Sequence, residues 1–175
     1  MQVDSTNYIS DWNDRDSWAI ARAAGRVLDV GAGAGRVCLR LAESGLDAVA
    51  LDVSAGAVEV CRRQGVQNVM VTHALTNPGG PLTLSEIQQA ARLGAYIELI
   101  YGGLSEDLLR RDAEVIRAVG ASSVVLSTDL GQPNNPLHPD GLLAFYKGLI
   151  AQGISEADIV QMSQTNPAKL LGLKP

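Results

Sequence analysis

Two hydrophobic periods take turns along this chain. Short apolar runs of strand length alternate with longer stretches whose apolar residues recur three and four positions apart. The pattern predicts strands at about 26–31, 47–52, 68–72, 95–100 and 123–128, with helices at about 35–44, 55–64, 83–93 and 106–118. Such alternation implies a parallel sheet joined by right-handed crossovers. Capping signals agree. Thr83 and Glu86 form a capping box ahead of an apolar run. Ser105 precedes Glu106 and Asp107, which suit the positive end of a helix dipole. The last third reads as helical: 141–153 carries Leu142, Leu143, Phe145, Tyr146, Leu149 and Ile150 at helical spacing. Ser155 with Asp158 caps a second helix, and Asn166-Pro167 reads as cap and first turn of a third, ending at Gly172. Residues 1–25 read as partly helical, with Tyr8, Ile9, Trp12, Trp18 and Ile20 as apolar members.

The chemistry concentrates where the first strand meets the first helix. Arg26-Val-Leu-Asp-Val-Gly-Ala-Gly-Ala-Gly-Arg36 ends an apolar run in Gly31, Gly33 and Gly35. A turn without side chains lets backbone N–H groups approach a ligand, and the helix N-terminus behind it favours polar or anionic groups. The dinucleotide fingerprint is G-x-G-x-x-G. Here the third glycine comes one residue early, and Arg36 holds its place. Asp29 stands two residues before the first glycine. An acid there would repel a pyrophosphate but suits a cationic amino group. Asp47-Ala-Val-Ala-Leu-Asp52 reads as the next strand, and an acid at its end is placed to accept hydrogen bonds from ribose hydroxyls. Ser54 is a natural N-cap for the helix that follows.

The pattern D-x-G-x-G-x-G resembles motif I of the class I S-adenosylmethionine-dependent methyltransferases, and Leu51-Asp52-Val53-Ser54 resembles their post-I motif. The resemblance covers roughly residues 1–70. It implies S-adenosyl-L-methionine as cofactor, a small-molecule acceptor, and a cofactor site built from Asp29, Gly31, Ala32, Gly33, Asp52 and Val53. In it the first acid and the glycines surround the methionine end, Asp52 holds the ribose and Val53 packs on the adenine. It also implies that a segment before motif I closes over the cofactor or shapes the acceptor pocket; covering one edge of the sheet is the other reading of Trp12 and Trp18.

Beyond residue 70 the likeness fades. Thr72-His73-Ala74 stands where an acid would meet the adenine amino group, and Ile97-Glu-Leu-Ile-Tyr-Gly-Gly103 carries no methyltransferase motif IV. The second half resembles the amidohydrolase superfamily instead. Gln164-Thr-Asn-Pro-Ala-Lys-Leu-Leu-Gly-Leu173 looks like its C-terminal segment, Ser127-Thr-Asp129 like the end of its eighth barrel strand, and Val71-Thr-His73 like a middle strand that supplies a histidine ligand. The resemblance implies that residues 71–175 match the last three β/α units of a (β/α)₈ barrel, with His73 and Asp129 as metal ligands. The His-x-His pair that this family carries on its first strand is missing, and five strands do not close an eight-stranded barrel. A catalytic zinc needs three protein ligands, so His138 would have to move in from its Pro-rich loop.

The expectation is therefore one α/β domain over residues 1–175, a chimera of a methyltransferase-like half (1–70) and an amidohydrolase-like half (71–175). Its fold is a single doubly wound, Rossmann-like, three-layer domain with a five-stranded parallel sheet in the order 3-2-1-4-5 and a helical C-terminus. Ligands of open α/β sheets bind where the strand order reverses. That would set Asp29, Gly31, Gly33 and Asp52 on one side of a crevice and Glu98, Tyr101 and Asp129 on the other. Tyr101 and Asp129 are the catalytic candidates. The leading function is an S-adenosylmethionine-binding protein of methyltransferase type. A metal-dependent amidohydrolase-like fragment and a non-catalytic scaffold are the alternatives.

Composition narrows the partners. The chain has 175 residues, 46% hydrophobic and 19% charged, with a net charge of −5, which excludes a nucleic-acid footprint. Only 4% is aromatic, so Ala, Val and Leu must fill the core. No apolar stretch is long enough to span a bilayer. The N-terminus lacks the basic start and apolar core of a secretory signal, so a cytoplasmic location is expected, with Cys38 and Cys61 as reduced, buried thiols. The oligomeric state is left open.

Overall fold

The computed structural model describes residues 17–18, 20–32, 35–52, 57, 66, 68–76, 80–131 and 133–173. Within them the strands are β1 (Arg26–Val30), β2 (Asp47–Asp52), β3 (Asn68–Val71), β4 (Tyr96–Ile100) and β5 (Val124–Ser127), all parallel in one sheet. The helices are α1 (Arg36–Glu43), α2 (Leu84–Arg92), α3 (Glu106–Val119), α4 (His138–Ala151), α5 (Glu156–Val160) and α6 (Asn166–Leu170), with a π-helical turn at Gln161–Thr165 between the last two. The expected α/β class, five-stranded parallel sheet, flanking helices and helical C-terminus are all present. The expected helix at 55–64, Gly33, Val53, Cys61, Trp12 and most of residues 1–25 lie outside the described residues.

The strand order differs from the expectation. It is β1-β2-β3-β4-β5, not 3-2-1-4-5. Each crossover lands on the next strand in the same direction, so the sheet is singly rather than doubly wound and has no switch point. Alternation of strand and helix is the same for both orders; which neighbour a strand takes is decided by packing. The centre of the sheet is accordingly β3, whose Val69, Met70 and Val71 are buried. Parallel strands covered on both faces read as continuous apolar runs. β1 is an edge instead, and Leu28 is half exposed.

A single winding direction puts α1, α2 and α3 on one face. Cys38 and Leu41 of α1, Ile87 and Ala90 of α2, Leu109, Ala113 and Ile116 of α3, and Phe145 and Leu149 of α4 share one buried cluster with Ala48, Ala50, Val69, Val71, Ile97, Leu99, Val124 and Leu126. That cluster draws on residues both before and after position 70. The opposite face holds a smaller cluster, Val49, Met70 and Val125, covered by Leu170 of α6 with Tyr96 beside it.

Local signals set the helix ends. The Thr83 hydroxyl accepts the Glu86 N–H at 3.3 Å, and the Glu86 carboxylate accepts the Thr83 N–H at 2.8 Å. Ser105 and Ser155 accept from Leu108 and Asp158 N–H in the same way. Asn166 behaves differently from the cap that its sequence suggests. It lies inside the helix, buried, and its side-chain amide donates to the carbonyls of Ala121 and Val124 at 2.7 and 2.6 Å. Gln161 donates to its oxygen. Asn166 thus bolts the C-terminal helix onto the start of β5.

Candidate functional site

The carboxyl ends of the strands collect the candidate residues in two groups. The first lies at β1 and β2. Side chains alternate between faces along a strand. Val27 and Ala50 join the helix-side core, so Asp29 and Asp52 point to that same side. Asp29 pairs in register with Ala50, and Asp52 lies two residues further along the neighbouring strand. Strand spacing puts their Cα atoms roughly 8 Å apart. Asp52 is 8% exposed, and Asp29 is half-buried and accepts a thiol hydrogen bond from Cys38 at 3.4 Å. Cys38 is itself a buried thiol, as the sequence suggests.

The glycine turn joins these acids to α1. Gly31 has φ +74°, and a Cβ there would meet nothing within 4 Å among the described residues. Ala32 is buried, and its carbonyl accepts the Gly35 N–H at 2.9 Å. Gly35, at φ 80° and ψ 18°, is the N-cap of α1 without a side chain to offer. The N-terminus of α1 is therefore left to other hydrogen-bond partners. Backbone N–H groups in that position suit the polar end of a small ligand.

The second group lies at β3, β4 and β5. Glu98 of β4 is its hub. Its carboxylate accepts the backbone N–H of His73 at 3.3 Å and the hydroxyl of Ser127 at 2.7 Å. His73 has φ 52°, the only positive φ at a non-glycine among the described residues. Its Nε2 stands 3.9 Å from Asp129, and its Nδ1 meets the Thr76 hydroxyl at 3.2 Å. His138, at the start of α4, pairs through Nδ1 with the hydroxyl of Thr128 at 2.7 Å. Both histidines therefore reach the loop that follows β5. Among the described residues no three acids, histidines or cysteines converge as a metal-binding group.

The expected crevice does not form between these groups, because β1 and β4 are not neighbours. Asp29 and Asp52 lie on the same face of neighbouring strands, and His73 lies beside Asp129. Tyr101 joins neither group: it is half-buried, packed edge-on against Phe145 with ring centroids 6.3 Å apart. Sequence reasoning named Glu98 only as a crevice wall and gave Ser127 no role of its own. Their link is one of register, since Ser127 lies beside Ile100, and no local motif announces it.

Comparisons with known proteins point in two directions. The family model for a methyltransferase domain matches residues 27–79, less than a third of the chain, and supports a methyltransferase-type unit around β1, β2 and β3. No curated protein matches. Among solved structures, N-acetyl-D-glucosamine-6-phosphate deacetylase from Mycobacterium smegmatis is similar at 14% identity and a TM-score of 0.52, over 85% of this chain and 45% of its own. The chain thus spans less than half of that enzyme's length. An amidohydrolase from Burkholderia multivorans, solved with bound zinc, is similar at 15% identity and a TM-score of 0.60, over 93% of this chain and 72% of its own. At these identities the likeness is one of fold alone. No helix among the described residues is long and apolar enough to cross a membrane.

Proposed function

We propose that this protein binds S-adenosyl-L-methionine at the carboxyl ends of β1 and β2, as a methyltransferase-type protein. One observation carries the reading: Asp29 and Asp52 share one face of two paired strands, beside a glycine turn whose Gly31 takes a positive φ. The methyltransferase-domain match over residues 27–79 covers the same turn and both acids. The donor set suits the ligand. Asp52 accepts from ribose hydroxyls, Asp29 faces the cationic amino group, and the backbone at Gly31 and Ala32 allows close approach. Gly33 and Val53 complete the site on the resemblance described above. When bound, S-adenosylmethionine supplies a methyl group on a positively charged sulfur. The protein's part is then to hold an acceptor in line with that methyl, for which positioning dominates. A small-molecule acceptor and a cytoplasmic setting belong to the same proposal.

Calorimetry with S-adenosylmethionine and S-adenosylhomocysteine tests it. Saturable binding is expected, weakened at least about tenfold by Asp52→Ala, which is about 1.4 kcal/mol. Absence of heat at millimolar ligand, or unchanged binding in Asp52→Ala, removes the proposal.

A second reading is favoured by the Glu98 cluster. The strand order is sequential, as in a β/α barrel, and Glu98, His73, Ser127 and Asp129 meet at the carboxyl edge where such folds carry chemistry. On this reading His73 and Asp129 are part of a hydrolase-type metal centre. Metal analysis of the purified protein separates the two. Stoichiometric zinc, manganese or iron lost in His73→Ala supports the hydrolase reading, and its absence removes it. A protein whose melting temperature responds to neither ligand nor metal is the non-catalytic scaffold.

A further inference from the structure

A cleft apart from both groups lies on the helix side of the β4 end. Its floor is Leu99 and Asp112, both buried, and its rim includes Thr76, Gly102 and Leu108, all exposed. Leu75, Ile100 and Arg111 complete it. Leu108, Arg111 and Asp112 come from one side of α3, while Thr76 and Gly102 come from the loops after β3 and β4. The cavity volume is about 20 Å³, enough for one water-sized group.

Two features of this cleft ask for a ligand. Asp112 is 8% exposed and makes no side-chain hydrogen bond among the described residues, yet neither of its oxygens is a sealed, unpaired atom. Its carboxyl therefore opens on the cleft. Arg111, on the same wall, likewise makes no side-chain hydrogen bond or ion pair among the described residues. A buried carboxyl without a donor is costly, and a donor entering the cleft removes that cost. A second cation beside Arg111 would be repelled. A group that is neutral, donates to a carboxylate and accepts from a guanidinium meets both side chains at once.

We propose that this cleft binds a primary carboxamide, with its NH₂ donating to Asp112 and its carbonyl accepting from Arg111. The NH₂ matches the one-water space, the carbonyl lies toward Arg111, and an aliphatic stem leaves over Leu75 and Leu108. The assignment is independent of the S-adenosylmethionine site, since it uses neither β1 nor β2.

Burial holds the Asp112 carboxyl up at about 7, against the pull of Arg111, so its titration is accessible to carbon NMR. With Arg111 engaging the carbonyl, the amide N–H groups go to the ionised carboxylate and favour that form. Propionamide is therefore expected to lower the Asp112 midpoint saturably, by about one pH unit if it prefers the ionised form tenfold. N,N-dimethylpropionamide has the same carbonyl but no N–H, and is expected to leave the midpoint in place. Arg111→Leu is expected to reduce the propionamide response. A midpoint unmoved by propionamide means that water alone occupies the cleft, and overturns the proposal. An equal response to the dimethyl compound, a response to methylammonium in place of the amide, or an unchanged response in Arg111→Leu overturns it as well.

Discussion

At the scale of single residues, Asp112 shows how far a side chain's surroundings can override its usual chemistry. It sits on the buried stripe of α3 with Leu109, Ala113 and Ile116. Desolvation raises its carboxyl from the ordinary 3.8 to about 7, and the Arg111 charge opposes this only in part. The folded protein then holds a proton that the unfolded chain has lost between about pH 4 and about pH 7. Stability from this group is full below that window and falls as pH rises through it. Asp112→Asn is thus expected to stabilise the fold by a few kcal/mol at about pH 8, with the gain shrinking toward about pH 5, as read by urea unfolding at both values. A gain that does not depend on pH would show that the carboxyl is not held protonated. Residues differed in how much of this could be read from sequence. Asp29 and Asp52 declared themselves because motif spacing and strand ends fix where they stand. Asp112 was visible only as a polar residue on an apolar stripe, three and four positions from Leu109 and Ile116, and nothing local says which neighbour it lacks.

Among the elements, boundaries were the most legible feature, because their causes are local. The Thr83–Glu86 box starts α2 where the sequence places it. Hydrogen bonds from the Thr83 side chain and backbone hold the Glu86 carboxyl below its usual value. Their contribution is present above the unfolded value of 4.5 and is lost as pH falls through the folded one. Thr83→Ala is expected to cost about 1 kcal/mol and to speed amide exchange in the first turn of α2. An unchanged exchange rate there would mean that tertiary packing alone holds the turn. Asn166 marks the opposite case. Followed by a proline it reads as a cap, yet its amide reaches 45 residues back in sequence to Ala121. Asn166→Ala is expected to destabilise by about 1–3 kcal/mol, since it strips two carbonyls of a buried donor. Near-neutral behaviour in chemical unfolding would show that the C-terminal helix is held by Leu170 instead.

For the molecule as a whole, class was legible and winding was not. Periodicity and crossovers specify a parallel α/β sheet whichever neighbour each strand selects. The sequential order makes β1 an edge and β3 the centre, which keeps β1 beside β2 but separates it from β4. The proposed two-acid cradle needs only the first pairing, and so is compatible with the observed order. The acceptor-side wall depended on the second, and is not. The same sequential order brings Glu98, His73, Ser127 and Asp129 together at the opposite part of the sheet edge, so one fold displays two separate polar centres. The central claim is that the first of them takes the nucleoside cofactor. Its most direct test is a map of amide shifts in nitrogen-labelled protein titrated with S-adenosylhomocysteine. The expected result is saturable shifts confined to Asp29 through Gly35 and around Asp52, with His73, Glu98 and Asp112 unmoved. Shifts centred on the β3–β5 ends, or none at saturation, would contradict it.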